Sequence, residues 1–246
     1  MTHTNSNKPV SLEVRQFSLH TTLMLAAGVG LSLGIPVYAL ASSQLISQKP
    51  NRVELNLVSF SVTQSAYEKI IPQFVAKWKR EKGQDVVIRQ SYGASAAQAR
   101  AVIAGQPADI VGLSLVPDIA EIQKAGLIKP GWERELDNRS IITRSVVAIE
   151  TRAGNPKKIQ TWGDLAKPGI KVITPDPKTS GSARWNFLGL WGSVTQVGNN
   201  EDKAIQFVSQ VYKNVPLLPK SAREATDIFF KKNQGDVLLS YENEVI

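Results

Sequence analysis

The 246-residue chain contains no cysteine, and its two histidines and two methionines (His3, His20, Met1 and Met24) all fall near the start. Without cysteine there is no disulfide, no thiolate metal site and no lipid-attachment cysteine. Lys and Arg are dispersed, with no basic run interleaved with aromatics, which argues against nucleic acid as a partner. Long apolar runs are absent except for one, Phe17 to Val37, which carries no charge and follows Lys8 and Arg15. Because about 20 apolar residues can span a bilayer, a retained anchor is one reading of it. Ala39-Leu40-Ala41 favours another, since small residues stand at the two positions a signal peptidase reads. Residues 1–41 therefore read as a signal peptide cleaved before Ser42. Residues 42–51, with Gln44, Gln48 and Pro50, read as a polar linker.

Cleavage there leaves a chain with no His, Cys or Met. That excludes a Ser-His or Cys-His nucleophile pair and any imidazole ligand, and no metal or cofactor is expected. Losing Lys8, Arg15 and Glu13 leaves 27 basic and 20 acidic residues, a general field that attracts anions. Hydrophobic residues make up 42% and charged ones 20%, enough for a sizeable core in one large or two small domains.

Four segments share one pattern of strand, small polar loop and helix. Val53 to Phe60 leads through Ser61-Val62-Thr63-Gln64-Ser65 into a helix from Ala66 to Lys82, stopped by Gly83. That helix carries an apolar stripe of Tyr67, Ile70, Ile71, Phe74, Val75 and Trp78, with Pro72 inside it. Asp85 to Arg89 leads through Gln90–Ser95 into Ala96–Ala104. A strand over Ala108–Leu113 and a helix over Val116–Ala125 follow, then a long strand over Ile141–Glu150 and a short helix over Thr161–Ala166. The third unit is Lys171–Thr174, a Pro-rich loop, and a helix from Ala183 to Trp191. Glu201–Tyr212 is a further helix. The fourth unit runs Val215–Leu218, Pro219–Glu224, then a helix over Ala225–Asn233 and a strand over Asp236–Ser240. Alternating elements with β-branched strands predict α/β architecture with parallel sheets, whose ligand crevice lies at the strand C-terminal edges.

All four small-residue loops fall at that edge. In Thr179-Ser180-Gly181-Ser182, bare backbone N–H groups and hydroxyls open a helix. A helix start leaves its first N–H groups unpaired and carries partial positive charge, so an anion is the natural guest. Any single such loop is more often an ordinary N-cap. Four of them converging on one edge is the more specific observation.

Particular residues then resemble a known family. Val87–Ser95, Ala108–Val111, Arg152–Lys157, Val172–Gly181 with Ala183-Arg184-Trp185-Asn186, and Gly235-Asp236-Val237-Leu238 with Glu242-Asn243-Glu244 are similar to the periplasmic sulfate-binding proteins of sulfate/thiosulfate ABC importers. The resemblance covers nearly all of residues 42–246. It implies a type II-like periplasmic-binding-protein fold with a ligand cleft between two lobes. Lobe 1 would span residues 52–140 and lobe 2 residues 141–238, with 239–246 returning toward lobe 1. The chain stops abruptly at Val245-Ile246, and the resemblance implies that a C-terminal part of lobe 1 is missing. It also implies a monomeric, periplasmic, non-enzymatic receptor that hands sulfate or thiosulfate to an ABC permease.

Carried over by motif, the ligand is held by the N–H groups of Ser61, Ser95, Gly181, Ser182 and Ala222 and by the hydroxyl of Ser180. Tyr241 stands where the family has a Trp, and Ser61 where it usually has an Asp. The same reading requires Asp176, Asp227 and Glu242 to point away from the ligand, and assigns Arg184 and Arg223 to bracing loops. Two alternatives stay open. One is a receptor for another oxyanion, such as molybdate or phosphate. The other is a phosphoryl- or acyl-transfer enzyme using Ser180 or Ser95, disfavoured by the absence of a P-loop or Gly-x-Ser-x-Gly elbow.

Overall fold

A computed structural model describes residues 52–198 and 200–244. The leader and linker readings, residues 1–51, lie outside them. β1 (Arg52–Phe60) pairs in parallel along its whole length with β2 (Asp85–Gly93) and, at its other edge, with β3 (Ile110–Gly112). The register sets Phe60 opposite Gly93 and Ser59 opposite Gly112, so all three C-terminal ends finish level. Three chain exits therefore open at one edge, as parallel pairing dictates. A 3-10 turn at Ser61–Thr63 and α1 (Gln64–Lys82) follow β1, α2 (Ser95–Ile103) follows β2, and α3 (Val116–Lys124) follows β3. α1 stops where predicted, because Gly83 takes the left-handed conformation at φ 66° without the penalty a Cβ brings.

The second half holds β4 (Val147–Thr151), β5 (Val172–Ile173) and β6 (Val237–Tyr241) in the order β4-β6-β5. α4 (Gly181–Gly198), α5 (Glu201–Lys213) and α6 (Ala222–Phe230) accompany them. All five residues of β6 are buried, because both faces of this sheet are covered. Val237 and Leu239 pack with Leu190, Val208 and Val211 of α4 and α5, while Leu238 between them packs with Ala225, Ile228 and Phe229 of α6. The period-2 alternation of a strand divides one run of Val and Leu between two cores.

Several predicted elements differ. The second sheet is mixed rather than parallel, since β4 runs antiparallel to β6 while β5 runs parallel to it. A long stretch of chain holding several helices separates β6 from both β4 and β5, so no local pattern sets either direction. The predicted strand at Ile141–Glu150 begins only at Val147, because β6 ends at Tyr241, opposite Val147, and the chain then turns into a short 3-10 helix that adds one last bond, from Glu242 N–H to Val146 O at 3.1 Å. Val215–Leu218 is no strand. It runs beside β5 with two flanking backbone bonds, from Val172 N–H to Asn214 O and from Asp176 N–H to Pro219 O. Pro216 and Pro219 have no N–H to donate to a ladder. The apolar stripe of α1 is only partly covered among the described residues: Tyr67, Ile71, Val75 and Trp78 are half-buried, while Ile70 is 56% and Phe74 40% exposed.

Candidate functional site

All seven residues singled out from the sequence line one small cleft. Ser61 comes from the end of β1, Ser95 from the start of α2, Ser180, Gly181 and Ser182 from the start of α4, Ala222 from the start of α6, and Tyr241 from the end of β6. The cleft is tight, with a cavity volume of about 10 Å³, and no charged residue lines it. Pockets for drug-sized ligands run to roughly 300–1,000 Å³, so a small ion is a better match than a sugar or peptide.

The wall segments at α2, α4 and α6 are each held in place by hydrogen bonds. The Thr179 and Ser180 N–H groups both donate to Asp176 O, at 3.1 and 2.8 Å. Ser180 therefore offers its hydroxyl, which lies 2.8 Å from the Ser182 hydroxyl. Gly181 and Ser182 occupy the first turn of α4, where backbone N–H groups have no helical partner. Gly181 is required by space, since a Cβ there would overlap Ser114 Oγ and crowd Leu115 Cγ at 3.2 Å. At α6, Ser221 caps the helix by accepting from Glu224 N–H at 3.2 Å, which leaves the Ala222 N–H as the outermost donor. At α2, the Ser95 hydroxyl donates to Asp118 Oδ2 at 2.6 Å and accepts from Ser114 N–H at 3.1 Å. The Ala96 N–H crosses to Thr179 O at 3.1 Å and stitches the start of α2 to the loop before α4.

The nearby charges face elsewhere. Arg184 Nη1 donates to Asp118 Oδ1 at 2.8 Å and its Nε to Pro177 O at 3.0 Å. Arg223 pairs with Glu244 at 2.9 Å. Asp176 Oδ1 accepts from Lys178 N–H, Asp227 pairs with Lys231, and Glu242 is exposed and does not line the cleft. What remains at the cleft is a set of hydroxyls and helix N-termini, each end carrying about half a positive charge. Tyr241 is the exception that titrates. Burial pushes its phenol up to about 12, opposed by Ser114 and helped by the weaker effect of the Asp118 charge, so it stays protonated at neutral pH. Such a wall donates hydrogen bonds in several directions and presents no carboxylate. It suits a fully ionised oxyanion.

Residues 55–246 match the family described as bacterial extracellular solute-binding protein. The chain belongs to that family. A "Sulfate-binding protein" of Synechococcus elongatus is 60% identical over 194 residues, covering 79% of this chain and 55% of that protein. A "Thiosulfate-binding protein" of Pseudomonas aeruginosa is 41% identical over 188 residues, 76% of this chain and 57% of that protein. The solved structure of the sulfate-binding protein SubI from Mycobacterium tuberculosis superposes with a TM-score of 0.72 at 44% identity, covering 78% of this chain and 66% of that one. The chain thus spans a little over half the length of the two curated relatives. The fold is that of the periplasmic binding proteins, in agreement with the resemblance read from the sequence.

In this solute-binding chain, two cleft-side residues escaped the sequence reading. Asp118 looks like an ordinary acidic residue in the first turn of α3, yet it is fully buried behind Ser95. Ser114 follows the three-residue β3 with no motif around it, yet it lines the cleft. Nothing local marks either one, because their partners Arg184 and Gly181 come from the other half of the chain.

Proposed function

We propose that this chain captures sulfate between two lobes and delivers it to the membrane subunits of an ABC importer. One observation carries the reading: the cleft is walled by uncharged donors at converging helix starts, with neither a cation nor a carboxylate on its surface. Sulfate is fully ionised at neutral pH, so it accepts hydrogen bonds and offers none. Bonds to a charged partner contribute roughly 1.5–3 kcal/mol each, and micromolar affinity needs about 8 kcal/mol. The proposed contacts are the N–H groups of Ser61, Ser95, Gly181, Ser182 and Ala222, the Ser180 hydroxyl and the Tyr241 phenol. Their combined contribution exceeds that need and leaves a margin for desolvation and lobe closure. The proposed lobes are residues 52–140 and 141–238, with 239–246 returning to lobe 1.

Export through a cleaved leader to the periplasm, and action as a monomer without nucleic acid, complete the proposal. Among the described residues no helix is long and apolar enough to cross a membrane. We propose no catalysis: the described residues contain no histidine or cysteine to activate a serine. Ser180→Ala is expected to lose binding, with no turnover of phosphate or ester substrates before or after the change.

Thiosulfate is the second reading, favoured by the relative of that name in Pseudomonas aeruginosa. Phosphate and molybdate are weaker alternatives, and a cleft without a carboxylate offers only hydroxyl oxygens to the proton of monohydrogen phosphate. Calorimetric titration with sulfate tests the proposal, followed by competition among sulfate, thiosulfate, phosphate and molybdate. The absence of both binding heat and a thermal shift at millimolar sulfate would overturn it.

A further inference from the structure

Most hydroxyls on the cleft wall are already engaged. Ser95 is bonded to Asp118, Ser180 and Ser182 to each other, and Ser221 to the α6 cap. Ser114 is not. Its Oγ is sealed from solvent and has no partner at hydrogen-bonding geometry, although the residue lines the cleft. Its neighbour on the wall is the Tyr241 phenol, whose ionised form it favours, but the two do not meet the geometry of a hydrogen bond. A buried hydroxyl left unpaired costs about 1–3 kcal/mol, and most such groups in folded proteins have a partner.

The surroundings of Ser114 show that its position is held. Its N–H is fixed by Ser95 Oγ at 3.1 Å, Ser95 by Asp118 at 2.6 Å, and Asp118 by Arg184 at 2.8 Å. Its Oγ occupies the space that a side chain at residue 181 would fill. The missing side chain of Gly181 thus admits a hydroxyl from the opposite half directly beside the first turn of α4.

We propose that the Ser114 hydroxyl is a further ligand contact of this cleft, donating to the bound oxyanion and finding there the partner it otherwise lacks. The inference rests on the oxyanion reading above and adds a donor that neither the sequence motifs nor the helix starts supply.

Calorimetric titration of wild type and Ser114→Ala with sulfate, alongside melting of both without ligand, tests it. The expected result is a Kd about tenfold to a hundredfold weaker in Ser114→Ala, from the loss of one bond to a charged group. Ligand-free melting should be unchanged or higher, since an orphaned hydroxyl has been removed. Should the alanine variant fail to fold, Ser114→Cys keeps nearly the same volume with a poor donor and should show the same weakening. A variant Kd within twofold of wild type overturns the contact, as does a weakening matched by an equal loss of ligand-free stability. Wild-type protein that ignores millimolar sulfate overturns the oxyanion reading and this contact together. Binding by wild type with no change in the variant overturns this contact alone.

Discussion

Arg184 Nη1 lies 2.8 Å from Asp118 Oδ1 and ties the first turn of α4 to the first turn of α3. The Asp118 side chain is 1% exposed and that of Arg184 33%. A buried carboxylate stripped of its cation keeps its desolvation cost, so Arg184→Ala should lower the stability of the ligand-free protein by about 3 kcal/mol. Asp118→Asn on top of it should recover part of that loss, because the uncompensated charge is gone. Urea unfolding of the two variants checks both signs. Equal stability of the single variant and wild type would show that solvent, not Arg184, compensates Asp118.

Gly181→Ala should weaken sulfate binding at least tenfold. The new methyl group would overlap Ser114 Oγ and press on Leu115, so the start of α4 could no longer approach the segment after β3. Overpacking of this kind costs roughly 1–3 kcal/mol, and it falls on the one arrangement that gathers donors from both halves. Ser114→Gly removes the worst overlap, so Gly181→Ala should be less harmful in that background. Titration of the four proteins measures the coupling.

The helix starts were legible because their signals are local. Pro175 to Ser182 and Pro219 to Ala222 each pair a proline-bearing turn with small polar residues inside one short window, and both open a cleft-side helix. Even so, α6 begins at Ala222 rather than Ala225, since Ser221 is its cap and not part of a longer loop. Strand direction was not legible. β4 and Arg89-bearing β2 both read as strands from their side chains, but whether a partner runs parallel depends on a strand far along the chain. The burial of Asp118 and Ser114 fails to show for the same reason. Asp118, behind the cleft, and Ser114, on its wall, each meet a residue of α4 from far along the chain, so no window of sequence contains both members of either pair.

Arg152→Ala should cost about 2–3 kcal/mol, and Arg152→Lys should restore little of it. The guanidinium donates to Phe229 O, Gln234 O and Gly235 O at 3.0, 2.7 and 3.0 Å, and stacks 3.8 Å over the Phe229 ring. These carbonyls lie at and beyond the C-terminus of α6, where a cation also opposes the helix dipole. A planar fork reaches three acceptors at once, whereas a lysine ammonium acts as a single point charge. Because the other end of α6 presents Ala222 to the cleft, sulfate affinity should fall together with stability. Denaturant unfolding and titration of both variants test this; full rescue by lysine would show that charge alone matters.

Tyr241→Phe should change the response of the protein to alkaline pH. Burial first, then the Asp118 charge, push the Tyr241 phenol up to about 12, against about 10 in an unfolded chain. The folded state therefore holds this proton more firmly, and the resulting stability is fully present below about pH 10. It is lost as pH rises from about 10 to about 12, where the unfolded chain ionises first, and amounts to about 2–3 kcal/mol. Burial also raises Tyr67, Tyr92 and Tyr212, so wild type loses further stability over the same range. The difference between wild type and Tyr241→Phe isolates the one phenol on the cleft wall. Urea unfolding across that range should show a shallower decline in the variant, whereas parallel declines would mean that Tyr241 is no harder to ionise folded than unfolded. Between about pH 6 and about pH 9 no side chain lining the cleft changes charge, so sulfate affinity should stay flat there in both proteins.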